Sequence, residues 1–230
     1  MESLETELAR ARDLDVAALA DAIESIGFEC TRCGACCKAE TCDDDTDDSG
    51  DGGHDHVATV FPDEIRRLQE RGDYDFRDVA RPVPFGLTEG EDGPEGETFE
   101  WALQTDDCGD CTFYEESDGT GRCTVHGDRP LVCRTYPFSV ALGGTSQPMG
   151  EAVDREGLVR AHECEGLGRD ISQAEAEELA TALKERAIQE LEEAIAVRDT
   201  YEPADPGPGE IVVHDSEGAR RPDGSPYGEQ

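Results

Sequence analysis

The stretch Phe28–Cys37, FECTRCGACC, decides the character of this chain, because four cysteines fall within eight positions: Cys30, Cys33, Cys36 and Cys37. Packing alone does not account for so many thiols in a polar, acidic sequence. Thiolates are soft ligands that favour zinc, iron–sulfur clusters or copper(I) over hard cations. A metal centre is therefore the first hypothesis for this stretch, and disulfide bonds are the alternative.

The composition limits both the fold and the surroundings of the protein. Its 230 residues, 36% of them hydrophobic, suffice for one moderate core, so we expect one folded domain. The formal net charge is -36, and Lys38 and Lys184 are the only lysines, which is typical of a surface that stays hydrated in the concentrated salt of a halophile. The alternative is an acidic protein with a basic partner, but the acidic residues are spread from Glu2 to Glu229 rather than concentrated.

The charge and the hydropathy also argue against two classes of partner. A chain without a basic face cannot release counterions from phosphates, so we do not expect nucleic acid binding. The start of the chain, MESLETELAR, is typical of neither a signal peptide nor a membrane anchor, and no apolar stretch reaches transmembrane length. We therefore predict a cytoplasmic protein, a location in which ten cysteines are more often metal ligands than disulfides.

Hydrophobic spacing predicts an α+β fold in which a small, irregular, cysteine-rich and metal-centred core with short strands is flanked by helices at both ends. Apolar residues at helical spacing predict an amphipathic helix over 4–26, and Ser172 with Glu175 forms a capping-box signature that begins a long C-terminal helix. The shorter elements predicted are strands over 57–61, 99–105 and 138–142, helices over 62–71 and 129–136, and a turn at 118–121 between short strands.

We expect three parts along the chain. Residues 1–27 form the N-terminal amphipathic helix, residues 28–200 form the cysteine-cluster domain including the C-terminal helix, and residues 201–230 form a disordered acidic tail because they are polar and rich in Pro and Gly. Residues 86–98, GLTEGEDGPEGET, are expected to be a glycine-rich loop.

Residues 43–56, DDDTDDSGDGGHDH, are expected to be a solvated insertion, since they contain seven aspartates and no apolar residue. A calcium loop is the alternative, but the alignment places Ala58 where an EF-hand requires its bidentate glutamate. His54 and His56 could hold a metal, although histidines on such a loop are more often exposed.

Two metal chemistries remain open from the cysteine spacing. Cys30, Cys33 and Cys36 follow the C-x2-C-x2-C pattern with which ferredoxin-like loops offer three ligands to a [4Fe–4S] cluster. Zinc instead would use two CxxC knuckles, Cys30/Cys33 and Cys108/Cys111, although their separation is longer than in common zinc modules. Both zinc and an iron–sulfur cluster therefore remain candidates.

Neighbouring residues constrain either arrangement. Adjacent side chains in an extended backbone point apart, so we expect Cys37 to face a different metal, or a different edge of the same centre, than Cys36. Arg32, Arg129 and Arg134 lie beside cysteines and can donate hydrogen bonds to sulfur. For Arg129 and Arg134, pairing with nearby carboxylates is the equal alternative.

Together these segments resemble a known family. FECTRCGACC, then Cys111, then CTVHGDRPLVCRTYPF from Cys123, then CEGLG from Cys164, is similar to the YkgJ-type cysteine-cluster family, a zinc- or iron-chelating CxxCxxCC domain, over roughly residues 28–168. The resemblance implies eight metal-ligating cysteines: Cys30, Cys33, Cys36, Cys37, Cys111, Cys123, Cys133 and Cys164. It leaves Cys42 and Cys108 as extra thiols, and it does not require His126 as a ligand, because the family usually has an aromatic and an acidic residue there.

Two classes of function follow. The first is a protein that binds zinc or an iron–sulfur cluster in a structural, storage or electron-transfer role. The second is an iron–sulfur enzyme with redox or methyl-transfer chemistry, since flagellin lysine N-methylase looks similar in its cysteine region. No Walker A, GxSxG, HExxH or GxGxxG motif is found, and the radical-SAM spacing from Cys33 and Cys37 fails at Glu40. The sequence indicates neither a catalytic residue nor a protein partner.

Overall fold

The computed structural model describes residues 2–39, 56–91, 93–142, 152–154 and 157–228. These residues form a mixed α+β fold with helices at the N-terminus, a long helix near the C-terminus and short strands in small sheets, which confirms the predicted fold class. Cys42, His54 and the acidic insertion up to residue 55, including most of the calcium-loop alternative, lie outside the described residues.

The helices are α1 (Leu4–Arg12), α2 (Val16–Ile26), α3 (Pro62–Arg71), α4 (Phe76–Val79), α5 (Leu131–Thr135) and α6 (Gln173–Thr200). The strands are β1 (Thr59–Val60), β2 (Ala80–Pro82), β3 (Leu87–Gly90), β4 (Gly93–Thr98), β5 (Trp101–Leu103), β6 (Tyr114–Ser117), β7 (Thr120–Cys123), β8 (Phe138–Val140), β9 (Ala152–Asp154), β10 (Val159–His162), β11 (Ile211–Asp215) and β12 (Gly218–Arg220). None of the helices in the described part of the chain combines the length and apolar character needed to cross a bilayer.

The N-terminal helix predicted over 4–26 is interrupted, and this part of the prediction is wrong. Asp15 has extended backbone dihedrals, and its carboxylate accepts a hydrogen bond from the backbone N–H of Ala17 at 2.8 Å. An aspartate that caps the next helix is more stable there than inside a helix, where its side chain competes with the backbone. The apolar periodicity continues across the break, so the periodicity does not reveal that the helix is interrupted.

The chain divides into two compact units, of which the first comprises Met1–Cys33 and Leu131–Ile195. Strands β8, β10 and β9 form its antiparallel sheet. Its core includes Leu19 and Ile23 from α2, Phe138 from β8 and the predicted stripe of α6, whose buried members are Ala176, Ala180, Leu183, Ala187 and Leu191. The apolar stripe therefore stabilises this unit by packing.

Helix α6 begins at the predicted cap. The Ser172 hydroxyl donates to Glu175 Oε2 at 2.5 Å, the Ser172 N–H donates to the same oxygen at 3.1 Å, and the Glu175 N–H donates to Ser172 Oγ at 3.3 Å. These bonds satisfy backbone N–H groups that have no partner within the helix. The capping box read from the sequence is confirmed.

The second unit comprises Gly34–Pro130 and Ala196–Gln230. It contains a β1-β5-β2 sheet, a β6-β7 hairpin and a four-stranded sheet in the order β12-β11-β4-β3. Helix α3 has the predicted bounds, and the predicted turn at 118–121 joins β6 to β7. The helix predicted over 129–136 is shorter, because only Leu131–Thr135 is α-helical and a 3-10 turn precedes it at His126–Asp128.

Two segments expected to be irregular are instead strands of this unit. Residues 86–98 contain the antiparallel pair β3 and β4, and the tail expected to be disordered contains β11, which pairs in parallel with β4, and β12. Val212 and Val213 are both 0% exposed. The run IVVHD thus buries enough apolar surface to order a segment whose Pro/Gly-rich composition predicts disorder.

A buried hydrogen bond fastens this C-terminal segment within the second unit. The indole N–H of Trp101, which is 1% exposed, donates to Asp215 Oδ2 at 2.9 Å. Phe76 packs edge-on against the Trp101 ring with the centroids 4.8 Å apart. Because Trp101 is the only tryptophan of the chain, its fluorescence reports directly on this contact.

Candidate metal centre

The thiol inventory of the structure separates the eight predicted ligands from the remaining cysteine that it describes. Eight of the nine described cysteines are free: Cys30, Cys33, Cys36, Cys37, Cys111, Cys123, Cys133 and Cys164. Cys108 is disulfide-bonded, so it is not the spare thiol that the sequence suggests. The zinc alternative that used Cys108 in a CxxC knuckle is wrong for this state of the chain, because a disulfide sulfur has no thiolate to offer.

The free thiols are divided equally between the two units. The first unit contains Cys30, Cys33, Cys133 and Cys164, and the second contains Cys36, Cys37, Cys111 and Cys123. The boundary between the units thus falls inside the CxxCxxCC motif, directly after its second cysteine.

A tight turn brings together the vicinal pair of the second unit. The Cys37 N–H donates to the Gly34 carbonyl at 2.7 Å, and the Sγ atoms of Cys36 and Cys37 lie 3.8 Å apart. These side chains are expected from the sequence to point apart, as in a strand, and the structure corrects that expectation. The backbone turns here instead of extending, so the alternation of a strand does not apply.

Gly34 allows the turn to lie against the β6-β7 hairpin. Its φ is +82°, and a Cβ at this position would lie 2.1 Å from Tyr114 Oη. Any side chain would therefore be both strained in its backbone and in collision with the tyrosine ring. Glycine is the residue that permits this close approach.

A polar network that no local sequence pattern predicts holds the same turn. Lys38 forms an ion pair with Glu116, and its ammonium group lies 5.4 Å from the centroid of the Tyr114 ring. The Tyr114 hydroxyl donates to Glu116 Oε2 at 2.7 Å. One of the two lysines of the chain thus links the cysteine turn to β6, and only the fold brings these three residues together.

The same hairpin region carries the other two thiols of this unit. The Cys111 N–H donates to the Cys37 carbonyl at 2.9 Å, which places the two backbones side by side. Cys123 is the cross-strand partner of Tyr114, whose own N–H donates to the Cys111 carbonyl at 2.8 Å. Backbone hydrogen bonds therefore connect the segments that carry all four thiols.

The electrostatic surroundings of these thiols differ. The hydrogen bond from Cys37 lowers the pKa of Cys36 to about 7; partial burial opposes this, and the Arg129 guanidinium lowers the pKa further. Burial raises the pKa of Cys111 to about 11, and the nearby Cys123 and Cys36 add to the effect. Burial also raises the pKa of Cys123, against the influence of Arg129. Cys36 is therefore the thiol of this set most readily ionised near neutral pH.

In the first unit, a backbone hydrogen bond pairs the segment that leads into Cys30 with the segment that follows Cys164. The Glu29 N–H donates to the Gly166 carbonyl at 3.0 Å, and the Gly166 N–H donates to Cys164 Sγ at 3.4 Å. A Cβ on Gly166 would lie 2.3 Å from the Glu29 carbonyl oxygen, so this close pairing requires glycine. An N–H aimed at a thiol sulfur is the kind of contact that stabilises a thiolate ligand.

Cys133 lies on helix α5, which is fastened to the core of the first unit. The Arg186 guanidinium, 1% exposed, donates to Thr135 Oγ1 at 3.0 Å and to Glu190 Oε1 at 2.7 Å. The Thr135 hydroxyl in turn donates to the Leu131 carbonyl at 2.7 Å. The buried arginine thereby holds the C-terminal end of this short helix.

The three arginines predicted near sulfur differ in their surroundings. Arg129 donates from Nε to the His126 carbonyl at 3.2 Å and influences the Cys36 and Cys123 thiols electrostatically. Arg134 lies 3.9 Å from Glu185 in a solvent-exposed ion pair, which matches the carboxylate alternative. Arg32 has a left-handed backbone with a φ of +59°.

His56 is partly buried rather than exposed, which corrects the expectation from the sequence. Burial and the positive charge of Arg81 lower the pKa of His56 to about 4, against the influence of Asp110. Its imidazole is therefore neutral at pH 7. His126 is exposed on the 3-10 turn, and its backbone carbonyl accepts a hydrogen bond from Arg129 Nε.

The donor chemistry fits a soft metal ion, and the ligand geometry is partly formed. Free thiols in sets of four suit zinc or iron. Among the residues that the structure describes, no group of three or more His, Cys, Asp or Glu side chains is already gathered closely enough to hold an ion. Cys36 and Cys37, whose Sγ atoms are 3.8 Å apart, are two thiols that already lie close together.

The comparisons with known proteins agree with a metal-chelating class of domain. The family model CxxCxxCC, described as "Putative zinc- or iron-chelating domain", matches residues 29–165, which is more than half of the 230-residue chain. The chain therefore belongs to the CxxCxxCC family. No curated protein and no solved structure matches it.

Proposed function

We propose that this protein binds zinc or an iron–sulfur cluster through its eight family cysteines and that the metal has a structural or redox role. The observation that carries the proposal is that the eight cysteines predicted as ligands are all free thiols, whereas Cys108 is in a disulfide. A cysteine outside any disulfide can lose its proton and bind a metal as the thiolate. Family membership supports chelation of zinc or iron.

Charge gives a second reason to expect bound cations. Eight thiolates would add a large negative charge to a chain whose net charge is already -36. Bound metal ions offset that charge, and a coordinated thiol is deprotonated even where burial raises its pKa, as at Cys111. Arg129, which favours the thiolate forms of Cys36 and Cys123, acts in the same direction.

The direct test is elemental analysis and absorption spectroscopy of protein purified without oxygen. We expect stoichiometric zinc in a colourless protein, or iron with sulfide in a brown one. Substitution of Cys33 or Cys133 by serine should lower the metal content. Cys108→Ser opens a disulfide and removes none of the eight predicted ligands. Compared under reducing conditions, in which its partner is a thiol in both proteins, it is the matched control and should leave the metal content unchanged. A metal-free protein, or equal losses in the control, contradicts the proposal.

We also propose that the metal stabilises the cysteine-cluster domain at 28–200. Binding free energy is folding free energy where ligands come from distant parts of a chain. Removal of the metal with a chelator should therefore melt the region between Cys30 and Cys164, visible as a lower melting temperature by circular dichroism. An unchanged spectrum and melting curve would limit the metal to a role outside folding.

The alternative is an iron–sulfur enzyme with redox or methyl-transfer chemistry. The Ser139 hydroxyl and His162 Nε2, 2.8 Å apart, resemble a nucleophile and its base, but the two residues are only 4% and 5% exposed and lie between neighbouring strands. A substrate has no access to them, so they do not favour a hydrolase. A spectral change of the iron-loaded protein on mixing with S-adenosylmethionine would favour the enzyme, and its absence favours the structural or redox role.

A further inference from the structure

The distance between the vicinal thiols carries information about the metal they bind. In a tetrahedral site with metal–sulfur bonds of about 2.3 Å, any two sulfur ligands of one ion lie about 3.8 Å apart, which is the edge of the tetrahedron. The Sγ atoms of Cys36 and Cys37 lie 3.8 Å apart. Two side chains that are neighbours in sequence thus have the separation of two ligands of a single ion.

A [4Fe–4S] cluster would require a different separation. Four cysteines hold its four irons, so each iron takes one thiolate and two thiolates never share an iron. Sulfur ligands of different irons are therefore farther apart than ligands of one ion. The C-x2-C-x2-C spacing suggests such a cluster from the sequence, but the spacing does not reveal the turn that brings Cys36 and Cys37 together.

Oxidation of the pair to a disulfide of its own is disfavoured by its backbone geometry. The Cα atoms of adjacent residues are about 3.8 Å apart across a trans peptide, which is below the range of about 4.4–6.8 Å that unstrained disulfides require. Both sulfurs are free thiols. The backbone thus brings the two thiols close enough to share a metal without favouring a bond between them.

The second unit itself contains two further thiols to complete a tetrahedron. The Cys111 N–H donates to the Cys37 carbonyl at 2.9 Å, so the backbone of Cys111 lies beside the turn. Cys123 is paired across the hairpin with Tyr114, whose ring covers Gly34. The unit thus supplies four thiols on hydrogen-bonded segments, which is the number of ligands of a structural zinc site, and the ion would draw Cys111 and Cys123 toward the Cys36–Cys37 pair.

We infer that Cys36 and Cys37 bind one and the same metal ion, and that Cys111 and Cys123 complete a mononuclear four-thiolate site of the zinc type in the second unit. The inference rests on the proposed function and specifies it: the ligands are divided by unit, and the centre in this unit is a single ion rather than a [4Fe–4S] cluster. A [2Fe–2S] cluster, whose irons each take two thiolates, is the outcome that the metal–metal distance in the test below would reveal. The cation class is a divalent metal that accepts tetrahedral thiolate ligands.

The test uses the full chain, reduced and freed of metal, and titrated with Co²⁺ without oxygen. Thiolate-to-cobalt absorption bands report the number of ions and the thiolates on each. We expect Cys36→Ser and Cys37→Ser each to lose the same ion, and the double variant to lose no more than either single variant, because both thiols serve one site. Cys108→Ser is the control and should match the wild-type titration.

If the double variant loses the sum of the cobalt lost by the two single variants, or if Cys37→Ser gives the wild-type spectrum, the two thiols do not share an ion. Either result would leave metal binding itself intact. A wild-type chain that binds no cobalt would instead overturn the proposed function itself. If the variants do not fold, X-ray absorption of the zinc-loaded wild-type protein decides the question. It should show sulfur neighbours at about 2.3 Å and no neighbouring metal; iron with inorganic sulfide, or a metal–metal distance, would refute a mononuclear site.

Discussion

Replacement of Gly34 by alanine tests how the cysteine turn is held. The new Cβ would lie 2.1 Å from Tyr114 Oη, and the backbone φ of +82° is one that side chains rarely adopt. The left-handed backbone alone costs about 1–2 kcal/mol. Displacing the Tyr114 ring also breaks its hydrogen bond to Glu116, worth about 1 kcal/mol at this partly exposed site. We therefore expect the free energy of unfolding to fall by about 2–3 kcal/mol.

Gly119→Ala is the matched control. Its φ is +72°, but a Cβ there would meet no atom within 4 Å, so it carries the backbone strain without the collision. Urea unfolding followed by Trp101 fluorescence should show a larger loss for Gly34→Ala than for the control. In a Tyr114→Ala background the two losses should become equal. Equal losses already in the wild-type background would refute the steric argument.

Three further predictions concern stability. Asp215→Ala should lower the free energy of unfolding by about 1–3 kcal/mol, because it leaves the buried Trp101 N–H without its acceptor; Asp215→Asn retains an acceptor oxygen and should cost less in the same urea titration. Arg186→Met should lower the melting temperature by loss of its bond to Thr135, with partial recovery in Arg186→Lys; equal values for all three proteins would contradict the anchoring of α5. The pKa of His56 is lowered to about 4, so its protonation favours the unfolded chain. Its contribution to the free energy of unfolding is fully present above the ordinary pKa of about 6.5 and should fall by about 2 kcal/mol between pH 7 and pH 5. The variant His56→Gln should show a smaller fall over the same pH range.

The sequence predicts best where a few neighbouring residues decide the structure. The bounds of α3, the Ser172–Glu175 cap and the β6-β7 turn follow from capping residues, proline and glycine within one or two turns of chain. Such signals act locally, so they keep their meaning in any fold. The apolar stripe of α6 is of the same kind, since helical period alone places its residues on one face.

Local signals fail where a distant partner decides. The IVVHD run within 201–230 becomes a strand because β4 offers it a parallel partner, and nothing near it in sequence records that partner. The prediction of one continuous N-terminal helix fails for a different reason, although the signal at Asp15 is local. A strong apolar periodicity hides a single capping residue.

What the sequence by itself determines about this protein is its chemistry: an acidic chain with a thiol inventory and motif spacing that identify a metal-chelating family. What only the tertiary structure decides is which thiols meet. The 3.8 Å separation of Cys36 and Cys37, and the Lys38–Tyr114–Glu116 network beside them, exist because a turn packs against a hairpin far along the chain. Ligand type is a property of the residue, whereas the distance between ligands depends on how their segment packs against residues that are remote in sequence.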